Sequence, residues 1–114
     1  MTLPLTPATL EAAYDFLRAM PPFSRWGLPP GDEIRFRVTS DPEAMGWHSV
    51  DKDGHCIDIS GEKVGHLVTL MKTMAHEMIH LRQDELGLKR THGKGFAALA
   101  HQVSKVHGFD PKEL

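Results

Sequence analysis

The sequence predicts a small α+β domain with an N-terminal helix, a three-stranded, mainly antiparallel sheet, a long helix and a C-terminal helix. Apolar residues at helical spacing near both ends flank a middle segment in which they recur at every second position. The length of 114 residues suits one domain, over residues 1–114. The composition, 40% hydrophobic and 25% charged, is typical of a domain with its own core.

The first helix begins at Thr6 and Pro7, because a hydroxyl at the N-cap and a proline at the first helical position are start signals. Its apolar residues follow at helical spacing and are Leu10, Ala13, Leu17 and Met20. Pro21 and Pro22 end the helix. Residues 21–31 are rich in proline but carry Phe23, Trp26 and Leu28, so we expect an ordered loop packed on the core.

Three strands are predicted next. Ile34–Val38 alternates apolar and basic residues, and Met45–Val50 and His55–Ser60 are two further strand segments. Asp51-Lys52-Asp53-Gly54 between the last two predicts a hairpin turn, since Gly54 can adopt a positive φ. Ile57 and Ile59 would share one face.

From Glu62 to about Leu86 the pattern becomes helical, and Gly87 is a stop signal. The predicted core stripe of this helix comprises Val64, Leu67, Met71, Met74, Ala75, Met78 and Leu81. The opposite face carries His76 and His80 beside Thr69, Thr73 and Gln83. A last helix spans about Gly95 to Val106, with Phe96, Leu99, Ala100 and Val103 on one face.

The long helix contains His76-Glu77-Met78-Ile79-His80, an HExxH motif. Residues four apart lie one turn above each other, so two imidazoles can bind one metal ion. Glu77 is turned about 100° around the helix and can face a metal-activated water without being a ligand.

A catalytic zinc needs a third protein ligand, and two downstream histidines are candidates. His92 follows a loop that can fold back onto the motif helix, and His101 lies on the last helix. A glutamate ligand is not expected, because that helix has none before Glu113. Asp84, one turn after His80, is the candidate partner for the second nitrogen of that imidazole.

The chain from about Ala8 to Phe109 resembles the SprT-like zinc metalloproteases, which include Spartan-type enzymes, and the specific part of this likeness is His76 to Phe96. The likeness rests on HExxH followed by the H-G-x-x-F segment His92–Phe96, and on the preceding strands with Met45-Gly46 and Ile57–Ser60. It implies a zincin-like fold, one Zn²⁺ per chain held by His76, His80 and His92, and Glu77 as general base. The paired cysteines of the C-terminal zinc ribbon found in many relatives are absent, since Cys56 is the single cysteine.

Composition and hydropathy indicate what to expect of nucleic-acid binding, membrane insertion and cellular location. With a net charge of −2, the chain lacks a strongly basic nucleic-acid footprint, although Lys89, Arg90 and Lys94 form a local basic patch that could support weak DNA association. No apolar run is long enough to span a membrane, and Met1–Leu10 lacks the features of a signal peptide. A cytoplasmic location is therefore expected, and the oligomeric state is open.

These observations predict a zinc-dependent endopeptidase acting on proteins or peptides, with a substrate strand added to His55–Ser60 if that strand lies at a sheet edge. Two alternatives stay open: a zinc-stabilised binding module without catalysis, and a small nucleic-acid-associated protein.

Overall fold

The computed structural model describes residues 5–114. Residues 1–4, which belong to the predicted domain and to the segment Met1–Leu10, lie outside the described residues. The described helices are α1 (Pro7–Arg18), α2 (Leu67–Glu85) and α3 (Lys94–His107), and the strands are β1 (Arg35–Thr39), β2 (Gly46–Asp51) and β3 (Gly54–Ser60). Short 3₁₀ turns lie at Phe23–Arg25, Gly31–Glu33 and Pro111–Glu113. The predicted α+β class is confirmed.

The sheet has the strand order β1-β3-β2. β2 and β3 form the predicted antiparallel hairpin, in which Gly54 has a φ of +104°. β1 runs parallel to β3, so the sheet is mixed, with antiparallel pairing at one of its two interfaces. The hypothesis that His55–Ser60 receives a substrate strand is wrong, because β3 is central and both of its edges are already paired.

The core lies between the helices and one face of the sheet, where Ile57 and Ile59 are fully buried. Phe23 and Leu28 are buried in the same core, which confirms the ordered loop after α1. α1 starts as expected, because the Thr6 hydroxyl accepts a 3.1 Å hydrogen bond from the Thr9 amide. In residues 5–114, no helix combines the length and hydropathy that crossing a membrane requires.

α2 differs from its prediction in three ways. It begins at Leu67, because residues 61–63 form a turn closed by the Val64 amide on the Ser60 carbonyl, and His66 is extended. Its polar face is also partly buried: α2 packs against the sheet as well as α1 and α3, so Thr73 and Gln83 are enclosed. Conversely, Leu67 was predicted in the core but is 58% exposed, since it lines an open groove beside α1.

Candidate metal centre

Three imidazoles converge where the loop after α2 folds back over that helix. His76 and His80 lie one turn apart on α2, and His92 follows the turn that Gly87 opens with a φ of +70°. The His92 Nε2 atom is 3.1 Å from Nε2 of His76 and 3.1 Å from Nε2 of His80. Three nitrogens around a tetrahedral zinc ion are separated by about 3.3 Å, so this arrangement fits zinc.

The rival candidate His101 lies elsewhere. It is exposed on α3, whereas one nitrogen from each of His76, His80 and His92 lies within 4.8 Å of the other two. His48 and His55 contact each other instead, with 2.9 Å between Nε2 of the first and Nδ1 of the second. The structure therefore groups the same three histidines that the resemblance implies.

Gln83 orients the His80 ring by contacting its Nδ1 atom, whereas the sequence predicts Asp84 as that partner. The His80 Nδ1 atom lies 2.8 Å from Gln83 Oε1, which can only accept, so Nδ1 carries the hydrogen and Nε2 keeps its lone pair. Gln83 Nε2 also donates to the Thr91 carbonyl over 2.9 Å. Asp84 is exposed and makes no such contact, so that prediction is wrong. The available signal was the spacing of three residues from His80, which places Gln83 on the same side of the helix.

Phe96 forms an apolar floor beneath the three imidazoles. Its ring centroid is 4.9 Å from His76, 5.0 Å from His80 and 4.9 Å from His92. This packing adds to the burial that lowers the pKa of His76 to about 4 and also lowers the pKa of His80. Both imidazoles are therefore neutral near pH 7, as metal ligands must be.

Glu77 is buried against β2. Burial raises the pKa of its carboxyl to about 7, and the charge of Arg90 opposes that shift. Gly46 of β2 permits this approach, because a Cβ there would lie 2.9 Å from Glu77 Oε2 and 2.9 Å from the Thr73 methyl carbon. His76, Glu77 and Gly46 line one cleft of about 520 Å³.

The basic residues Lys89, Arg90 and Lys94 are exposed, as expected for a loop patch. The Arg90 guanidinium carbon lies 4.3 Å from the ring centroid of Trp47, which is 59% exposed on β2. This cation–π contact joins the loop to the sheet beside the site.

A sequence model of the SprT-like family matches residues 24–113, which is most of the chain. The chain belongs to the SprT-like family, whose members are associated with zincin-like metalloprotease domains. No curated protein and no solved structure matches the chain.

Proposed function

We propose that this protein is a zinc-dependent endopeptidase that hydrolyses peptide bonds in protein or peptide substrates. One zinc ion would be held by His76, His80 and His92, and Glu77 would act as general base. The observation that carries the proposal is the convergence of three imidazole nitrogens beside a cleft lined by a buried carboxyl. When bound, zinc supplies Lewis-acid activation of water and of the substrate carbonyl.

Glu77 supplies the proton transfers. In the metal-free chain, burial raises the pKa of the Glu77 carboxyl to about 7, and a carboxyl in this range can both accept and return a proton near neutral pH. We propose that a Glu77 Oε atom takes a proton from the attacking water and then delivers it to the leaving amine. Gly46 leaves room for the carboxyl beside β2, because a Cβ at that position would lie 2.9 Å from Glu77 Oε2.

The substrate would lie along the cleft rather than on β3. β2 is an edge strand of the described sheet, and its first residue, Gly46, lines the cleft beside Glu77. An extended peptide can pair with a free strand edge through its backbone, which tolerates many sequences. We therefore propose that the substrate strand pairs with β2 and not with the segment His55–Ser60.

The test compares Glu77→Gln with Glu85→Gln, a matched control at an exposed position on the same helix. We expect Glu77→Gln to keep its fold and its zinc but to lose about 100-fold or more in kcat, since general base catalysis contributes that much. The readout is chelator-sensitive cleavage of a labelled denatured protein, with metal content measured by elemental mass spectrometry.

Equal cleavage rates for the two variants would show that Glu77 is not the base. Stoichiometric zinc without any cleavage by the wild-type chain would instead favour a zinc-stabilised binding module. No stoichiometric metal would remove the zinc assignment itself.

A further inference from the structure

A lysine lies in the same cleft as the metal centre and is paired with a carboxylate from the far end of the chain. Lys72 precedes His76 by one turn of α2, and both side chains line the cleft. Lys72 Nζ lies 3.1 Å from Glu113 Oε2, across 41 residues of sequence. Glu113 ends the 3₁₀ turn after α3, and Leu114 follows it along the cleft wall.

The segment Glu113–Leu114 therefore lines the cleft that a substrate would enter, and the Glu113 carboxylate is already paired with Lys72 there. Lys72 is the one cation among the described residues that line this cleft. The acidic side chains there are those of Glu77 and Glu113. The side chains of the other lining residues, such as Met45 and Thr69, carry no negative charge, so an ammonium group freed from Glu113 would face no acidic side chain along the described wall except that of the proposed base.

We propose that Lys72 is a specificity-determining residue that selects substrates with a carboxylate side chain, and that Glu113 is an intramolecular stand-in for that side chain. This inference rests on the proposed peptidase function of the same cleft. It assigns Lys72 a binding role one helical turn from the metal ligands, with no part in the proton transfers.

The contact is suited to exchange. The Lys72 side chain is 30% exposed and that of Glu113 is 56% exposed, so water and salt screen the pair. Ion pairs of this kind change an equilibrium constant by no more than about fivefold. A carboxylate on an incoming peptide can therefore replace Glu113 at little cost, whereas a peptide with a lysine at that position would meet a like charge.

The test measures binding without cleavage. The protein is the full chain carrying Glu77→Gln and Glu113→Gln, which removes the proposed base and frees Lys72. The probes are a fluorescein-labelled peptide with the sequence of residues 109–114 and two analogues with glutamine or lysine at the Glu113 position. At low salt, we expect the glutamate peptide to bind about two- to fivefold more tightly than the glutamine peptide, by fluorescence anisotropy.

Adding Lys72→Met should abolish this preference, and adding Lys72→Glu should reverse it in favour of the lysine peptide. Thermal unfolding checks that each variant folds. Equal affinities for the glutamate and glutamine peptides, a preference that persists in Lys72→Met, or no binding of any peptide would overturn the proposal. A failure of the proposed peptidase activity appears separately, as absent cleavage by the zinc-loaded wild-type chain.

Discussion

The two halves of the metal centre differ in how they are held. α2 packs against α1, α3 and two strands, and it buries His80 and Glu77 to 5% and 3% exposure. His92 instead belongs to the exposed segment 86–93. That segment is tied back to α2 by hydrogen bonds from the Leu88 amide to the Gln83 carbonyl and from Gln83 Nε2 to the Thr91 carbonyl.

This difference shows how a small domain can prepare most of a metal site before the metal binds. Segments with exposed backbone and few buried contacts open at lower free energy than core helices. The helix therefore presets two of the proposed ligands and the proposed base, while the loop would supply the third ligand. Gln83 couples the halves, because one side chain holds both the His80 ring and the loop backbone.

The largest expected effect is a loss of zinc affinity when a histidine is removed from either the loop or the helix. His92→Ala and His80→Ala should each weaken zinc binding by more than about 100-fold, which exceeds the usual effect of an outer-shell partner. Without metal, His92→Ala should change the free energy of unfolding by no more than about 0.5 kcal/mol, because the residue is exposed. His80→Ala should cost about 1–3 kcal/mol, since it leaves the buried Gln83 amide oxygen without its partner.

Competition with a chromophoric chelator measures the affinities, and urea unfolding measures the stabilities. The exposed α3 histidine gives the matched control, His101→Ala, which should retain zinc. If His101→Ala lost as much affinity as His92→Ala, the loop would not supply the third ligand.

The second-largest expected effect concerns the position of the Glu77 carboxyl, which α2 presents to β2. Gly46→Ala adds a methyl group 2.9 Å from Glu77 Oε2 and from the stiff Thr73 side chain, so the carboxyl must shift. A displacement of this kind can cost about 100-fold in kcat/KM while zinc affinity changes little. Gly95→Ala is the control, because a Cβ there would lie 3.9 Å from the Leu88 Cδ1 atom, an ordinary van der Waals contact. Equal activity of the two variants would show that β2 does not position Glu77.

The smallest effect tests the coupling between the halves. Gln83→Ala removes both the His80 contact and the loop contact, and it should weaken zinc binding by about 10- to 100-fold. Gln102→Ala, at an exposed position on α3, should leave the affinity unchanged. Loss in both variants would indicate a general fall in stability rather than a role at the metal centre; urea unfolding separates these cases.

Local rules predicted a large part of this molecule. The Thr6 cap, the Gly54 hairpin and the Gly87 stop are short-range features, and each appears where the sequence indicated. The HExxH spacing likewise places His76 and His80 on one side of a helix, because that depends on helical geometry alone.

The partner of His80 shows where local rules end. Gln83 and Asp84 lie three and four residues after His80, so both were within reach by spacing. Burial decides which of the two residues contacts His80. The loop after α2 covers Gln83, which donates a hydrogen bond to the Thr91 carbonyl, whereas Asp84 faces solvent. A helical wheel could not reveal this, because it reports one apolar stripe and α2 is enclosed on several sides.

By itself, the sequence determined the helices, the hairpin, the motif face and the family resemblance, all of which depend on the spacing of residues or on short motifs. Tertiary structure decided that β1 runs parallel to β3, that β2 forms the edge beside Glu77, and that Glu113 reaches Lys72. These features join segments far apart in the chain. They depend on which surfaces exclude water together, and no local pattern records that outcome.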